Sequence, residues 1–319
     1  MQISRQDVET RLDMSTCVDG MRAAFEALAG GVVQAPPRTV IRMADRPGFF
    51  GAMPVYASGY GSAAKVMTIY PENHDSGMES HQGYILLFAE EHGEPLALIE
   101  AGSITEIRTA AVSALATDLL ANTDASKLCV LGSGVQARSH VRAISCVRNL
   151  KEIQIWSRTS DHAHRFGEWA RQETGLDIAL RDDVEHALEG ADIVCTVTAA
   201  SEPIVEGDWM EDGCHLNAVG SFTPSARELD SATVKRSRLF VDSRDSALKE
   251  SGDVLIPIEE GTLPADHIVG DLAELVTGSV TGRRHKDEVT VFKSLGLAVE
   301  DLVAAKIVYD ALSADRCPK

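Results

Sequence analysis

Apolar positions run through this chain in two textures. Up to about residue 120 an opening helix reaching Ala29 gives way to strand-like runs at 39–43, 63–70 and 84–88, separated by turns, which predicts an α+β domain. Beyond residue 126 the pattern becomes regular. Lys127-Leu128-Cys129-Val130-Leu131 is a short apolar strand that ends in glycines, and 137–147 reads as a helix. Glu152-Ile153-Gln154-Ile155-Trp156 predicts a second strand, with a polar helix over 163–173 behind it. Apolar runs at 191–198, 215–220 and 238–242 supply three more buried strands. Strands alternating with helices predict a doubly wound parallel sheet of Rossmann type. Residues 291–312 carry apolar positions at helical spacing and predict a long terminal helix that returns to the first domain. The expected fold is therefore α/β: a dinucleotide-type domain over 121–290, and a discontinuous α+β domain over 1–120 completed by 291–319.

Composition narrows the function. A chain of 319 residues with a 44% apolar fraction suits two compact units. There is no apolar run long enough to span a membrane, and the first residues lack the organisation of a signal peptide, so the expected location is cytoplasmic. A formal charge of −18 argues against nucleic acid or an anionic membrane as partner. Cys17, Cys129, Cys146, Cys195, Cys214 and Cys317 are scattered without metal-ligand spacing and read as reduced, buried residues; no metal is expected.

The chemistry begins at Gly132-Ser133-Gly134-Val135-Gln136-Ala137, a G-x-G-x-x-A turn between the predicted strand and helix. The first glycine allows the bend, the second lets backbone approach a pyrophosphate, and Ala137 permits close packing. At the end of the next strand, where NAD-selective enzymes place a carboxylate, stand Ser157-Arg158-Thr159. A guanidinium beside hydroxyls suits a 2′-phosphate, which favours NADP(H) and leaves NAD(H) as the alternative.

Cations gather in the first domain. Arg38 and Arg42, four apart in a predicted strand, share one face. Lys65 interrupts the apolar run 63–67, where an unpaired ammonium is costly to bury. Arg108 opens a helix of small residues, Thr109-Ala110-Ala111-Val112-Ser113-Ala114, and is a candidate for a substrate carboxylate or a cofactor phosphate. His81 is a second acid/base candidate beside Lys65 because imidazole titrates near neutrality.

These residues resemble the ornithine cyclodeaminase and mu-crystallin family. The likeness is carried by Pro37-Arg38-Thr39, Met53-Pro54, Lys65, Ser80-His81-Gln82, Arg108-Thr109-Ala110-Ala111, the glycine loop, Asn217-Ala218-Val219-Gly220 and Val291-Phe292-Lys293-Ser294-Leu295-Gly296. The resemblance implies a homodimer that pairs through a substrate-binding first domain and binds NAD(P) in the second. It implies that Arg38, Lys65 and Arg108 hold a substrate α-carboxylate, and that Ser294 lies beside the cofactor. Thr109, Thr198, Val219 and Gly220 complete the expected cofactor contacts. Where the cyclodeaminases carry a glutamate and an aspartate, this chain has Gly51 and Phe222. Loss of both carboxylates favours the reductase branch, with Lys65 and His81 as its acid/base candidates.

The resulting expectation is NAD(P)H-dependent reduction of a 2-imino acid to an L-amino acid. Arg42 suggests a second substrate carboxylate and makes iminosuccinate, reduced to aspartate, the leading substrate. A cyclic ketimine such as pyrroline-2-carboxylate and an alanine dehydrogenase reaction are the alternatives within this chemistry. Ornithine cyclodeamination and a non-catalytic ligand-binding role are alternatives outside it.

Overall fold

The computed structural model describes residues 1–70, 72–73 and 77–316; Cys317 lies outside them. The chain divides into two compact units, Met1–Arg108 with Leu297–Lys319, and Thr109–Gly296.

The first unit starts with strand β1 (Gln2–Ile3) and two helices rather than one, α1 (Arg5–Arg11) and α2 (Met14–Ala29). The break is local: Ser4 and Asp7 close a capping box on α1, and Asp13 caps α2 through the Thr16 amide. There follow β2 (Val33–Gln34), β3 (Thr39–Arg42), β4 (Phe49–Ala57), β5 (Gly61–Ile69), β6 (His81–Phe88) and β7 (Pro95–Glu100). They form one sheet in the order β1-β7-β6-β5-β4-β2, with β3 on β4. Odd-numbered positions of β5 are buried and even ones half-buried, the alternation of a sheet with one covered face. Helix α3 (Ala101–Leu120) begins at Ala101 rather than at Arg108, and small residues let most of it be buried.

The second unit is an eight-stranded, wholly parallel sheet. Its strands are β8 (Lys127–Leu131), β9 (Glu152–Trp156), β10 (Asp177–Leu180), β11 (Ile193–Thr196), β12 (His215–Ala218), β13 (Arg238–Val241), β14 (Ile268–Asp271) and β15 (Thr290–Lys293), in the order β10-β9-β8-β11-β12-β15-β13-β14. Among the crossovers, α4 (Val135–Val147) follows the glycine loop, α5 (Ser160–Thr174) follows β9, and α6 (Val184–Leu188) follows β10. The remaining helices are α7 (Ser231–Arg236), α8 (Arg244–Glu250), α9 (Gly252–Glu259) and α10 (Leu272–Val276). Strand order reverses between β8 and β11, which is the switch point of a Rossmann fold.

The predicted terminal helix over 291–312 is corrected. Residues Thr290–Lys293 are β15, inserted between β12 and β13, and the helix, α11, spans Ala298–Arg316. A short apolar run cannot be assigned to strand or buried helix from its period, and the break comes at Gly296 with φ 83°. The boundaries of the units shift with it, from 120/121 to 108/109 and from 290/291 to 296/297. One further expectation changes: Cys146 is exposed, whereas Cys17, Cys129, Cys195 and Cys214 are buried free thiols. Arg283, in the basic run Arg283-Arg284-His285-Lys286, is half-buried and donates to Leu120 O at 2.7 Å and Thr290 Oγ1 at 3.0 Å. Among the described residues no helix is long and apolar enough to cross a membrane.

One buried arginine holds the second unit's first helical segment in place. Arg148, at the C-terminal end of α4, donates to the carbonyls of Thr117 (2.9 Å), Asp118 (3.2 Å), Ala121 (3.3 Å) and Asn122 (3.2 Å). Thr117 O also accepts the Ala121 amide and Asn122 O the Ala125 amide, so the guanidinium matters most for the carbonyls of Asp118 and Ala121 at the end of α3. Arg148→Met keeps the aliphatic stem but strands those two carbonyls, and is expected to lower stability by roughly 1–3 kcal/mol in urea unfolding.

Candidate functional site

In the second unit, the turn after β8 is shaped by Gly132, whose φ is 122° and where an added Cβ would stand 2.8 Å from Val197 O. Gly134 is the N-cap of α4 in extended conformation, without a side-chain cap, and the space above it is open. The start of this 13-residue helix therefore offers uncapped amides to an anion. Val135 is 56% exposed beside it, Ala137 is fully buried against the sheet, and Gln136 Oε1 is buried without a hydrogen-bond partner. His140, one turn on, bridges Gln136 O (2.8 Å) and Ser113 Oγ (2.9 Å). Because a carbonyl only accepts, its Nδ1 carries the proton; burial pushes its pKa down to about 4, so the ring is neutral. Ser133 Oγ meets Ser157 Oγ at 2.8 Å, joining the glycine loop to the end of β9. Arg158 and Thr159 are exposed there, and Thr159 begins α5 without using its hydroxyl as a cap. An uncapped helix start, open space over Gly134 and a buried acceptor on Gln136 fit a dinucleotide.

Thr198 and Gly220 stand beyond the ends of β11 and β12 on the same side of the sheet. Val219 is buried and donates its amide to Thr196 O at 3.0 Å. Ser294 is 2% exposed, its amide bonded to Ala218 O at 3.0 Å, and Thr109 is 8% exposed.

In the first unit, strand register sorts the expected cations into two rows. Met53, Lys65 and Ile85 are direct partners across β4, β5 and β6. Thr39 pairs with Ala52, which puts Arg38, one residue before β3, in the Lys65 row. Arg42, Phe49, Ile69 and His81 form the other row on the same face. The rows are four residues apart, about 13 Å. Lys65 thus keeps company with Arg38, and His81 with Arg42. Arg38 is half-buried, Arg42 is exposed, and His81 Nδ1 lies 3.0 Å from Ser80 Oγ.

Lys65 is 2% exposed, and its Nζ is 2.7 Å from Asp301 Oδ2. Arg108 donates from Nε to Asp301 Oδ1 at 2.9 Å and from Nη1 to Glu300 Oε2 at 2.6 Å. Both acids sit in the first turn of α11. Burial lowers the Lys65 pKa to about 8, while Asp301 opposes the fall and Arg108 and Arg38 add to it. Burial also pushes the Asp301 carboxyl upward, but Arg108 and Lys65 together hold it below the usual carboxylate range.

Sequence reasoning missed Glu300 and Asp301, which look like ordinary first-turn acids of a helix. It also passed over a buried cluster in the second unit, Glu228, Asp253 and Lys293. Lys293 carried the signal that had singled out Lys65, a lone lysine within an apolar run. For Glu228 and Asp253 the sequence holds no such sign.

Residues 1–316 match the ornithine cyclodeaminase/mu-crystallin family. The chain belongs to that family. A ketimine reductase mu-crystallin from Mus musculus is 40% identical over 320 residues, covering 98% of each chain. A Δ1-pyrroline-2-carboxylate reductase from Thermococcus litoralis, solved with NADH and L-proline, is 38% identical with a TM-score of 0.97, over 99% of this chain and 98% of that one. An archaeal alanine dehydrogenase, solved as a dimer with NAD, is 27% identical with a TM-score of 0.94, over 100% and 98%. In this member of the ornithine cyclodeaminase/mu-crystallin family, Gly51 lies on the same sheet face as Lys65, two residues from Met53. The position at which the cyclodeaminase pattern places a carboxylate therefore holds no side chain.

Removing one member of the buried quartet should cost more than an ordinary core change. Asp301→Ala leaves Lys65 and Arg108 undercompensated and is expected to lower unfolding free energy by about 3–5 kcal/mol at neutral pH. Urea titration with circular dichroism measures it.

Proposed function

We propose that this protein is an NAD(P)H-dependent reductase of a cyclic 2-imino monocarboxylate, of the Δ1-pyrroline-2-carboxylate type, producing the L-amino acid. The observation that carries this reading is the buried Lys65 ammonium, paired with Asp301 and in the row of Arg38. Of the three cations expected to clamp a carboxylate, Lys65 and Arg108 face Asp301 and Glu300. Two positive and two negative charges cancel, so Arg38 brings the group to at most one positive charge, which suits one carboxylate. The ketimine and pyrroline-2-carboxylate reductase relatives support the same class. The absent carboxylate at Gly51 weighs against cyclodeamination.

A reduced dinucleotide supplies a hydride to the imine carbon when bound. Arg38 would orient the substrate carboxylate, and Lys65 would give its proton to the imine nitrogen, leaving an amine with the new C–H bond. Arg108 would act through the acids it holds. Lys65 is the preferred acid over His81, which stands in the far row. The glycine loop, Gln136, Thr198 and Gly220 would bind the dinucleotide, with Arg158 and Thr159 at the adenosine ribose favouring NADP(H) over NAD(H).

A second reading, iminosuccinate reduction to aspartate, rests on Arg42, the cation on the Lys65 face that shares the His81 row. The distance between the rows makes it the lesser one. Assays of NADH and NADPH oxidation against Δ1-pyrroline-2-carboxylate, pyruvate plus ammonia, and oxaloacetate plus ammonia separate the two. The cyclic imine should be reduced fastest, and a faster reaction with oxaloacetate plus ammonia would overturn the monocarboxylate reading. An acid must be protonated, so kcat/KM should fall as pH rises through about 8. Asp301 raises the Lys65 pKa, so Asp301→Asn should move that limb to lower pH.

We also propose a homodimer through the other face of the first unit's sheet. That face leaves Ile41 58%, Tyr84 46%, Tyr56 38% and Leu86 37% exposed, a large apolar area for a monomer to show to water. The dimeric alanine dehydrogenase supports a second copy as its cover. Ile41→Asp with Tyr84→Glu should halve the mass seen in light scattering; an unchanged mass would sink the proposal.

A further inference from the structure

Glu228 lies in the segment between β12 and α7, is fully buried, and takes no part in the chemistry above. Its two carboxylate oxygens receive four donors. Oε2 accepts from Thr196 Oγ1 and from the Gly220 amide, each at 2.7 Å. Oε1 accepts from the Thr198 amide at 2.9 Å and from Thr198 Oγ1 at 2.7 Å. Every partner donates, so the site calls for a group that only accepts, and a carboxylate is the one side chain that does so with both atoms.

A second tier supports this group. Asp253 Oδ1 accepts the amides of Glu228 (2.8 Å) and Leu229 (3.0 Å), while Asp253 Oδ2 pairs with Lys293 Nζ at 2.9 Å. Lys293 Nζ also donates to Ser221 O at 2.5 Å. Burial pushes the Glu228 carboxyl upward, the nearby Lys293 opposes that shift, and Asp253 adds to it. Lys293, at the end of β15, thus works against the upward shift that burial imposes, while the oxygens of Glu228 are spent on the ends of β11 and β12.

Those two ends meet backbone to backbone. A Cβ on Gly220 would fall 2.1 Å from Thr198 O and 2.6 Å from Glu228 Oε1. Strand order places β11 and β12 across the switch point from β8, β9 and β10, in the half of a Rossmann sheet that receives the nicotinamide nucleotide rather than the adenosine.

We infer that Glu228 is a positioning residue for the nicotinamide half of the dinucleotide site, fixing Thr198 and Gly220 without itself touching the cofactor. The inference rests on the dinucleotide reading above. It makes a demand that general structural support does not: loss of Glu228 should weaken a ligand that carries nicotinamide and spare one that lacks it.

The test is equilibrium binding of NADH and of ADP-ribose, with NADPH and 2′-phospho-ADP-ribose as the second pair, to wild type, Glu228→Gln and Thr196→Val. The glutamine amide would confront donors with a donor. Glu228→Gln is expected to lose roughly tenfold or more in affinity for the nicotinamide-bearing ligand, and to keep ADP-ribose affinity within about twofold. Thr196→Val removes a single donor, is isosteric and sits at the end of β11. It should shift the same ratio in the same direction by a smaller factor, and it carries the test if Glu228→Gln does not fold. Equal losses for both ligands, or no loss for either in a folded variant, would overturn the role of Glu228. Failure of wild type to bind any of the four ligands would overturn the dinucleotide reading and this role with it.

Discussion

Two buried strand lysines, Lys65 within β5 and Lys293 at the end of β15, are each 1–2% exposed, and the constraint on which both units turn is that neither ammonium can stay there alone. Burying an isolated charge is prohibitively costly, so each lysine must meet an acid brought from elsewhere in the chain. Asp301 comes from the first turn of α11 and Asp253 from the first turn of α9. The last helix is thereby more than a cover for the first unit's sheet. It carries the charges that keep Lys65 and Arg108 in place, and its Asp301 holds the Lys65 pKa up against burial.

The same constraint organises the second unit. Lys293 and Asp253 form a base under Glu228, and Glu228 in turn gathers amides and hydroxyls that would otherwise be loose beyond the strand ends. The glycine loop works in the opposite way. At Gly134 side chains are withheld, so that backbone amides remain available to a ligand. One half of the sheet thus leaves backbone amides uncapped, and the other ties its backbone down around a buried carboxylate.

Charge balance also decides how the cations should be read. A count of Arg38, Lys65 and Arg108 from the sequence suggests a strongly positive site. With Glu300 and Asp301 in place the positive surplus is at most one. Arg42 adds a cation only at the distance of four strand residues.

The sequence by itself determined the strand, glycine turn and helix of the dinucleotide loop, the parallel α/β pattern around it, and the suspicion attached to Lys65. Each is a local matter: a bend only glycine can make, a period of alternating burial, a charge in an apolar run. The tertiary structure alone decided that Val291-Phe292-Lys293 is a strand between β12 and β13, because parallel strands pair with distant partners and a short apolar run has no period to read. It alone joined Arg108 to an aspartate 193 residues away and Lys65 to the same carboxylate. It alone showed Glu228 to be buried, since an acid next to Arg227 in a polar loop looks solvated until four donors are seen to converge on it. Register, too, came only from the folded sheet, and it was register that placed Arg38 with Lys65 and Arg42 with His81.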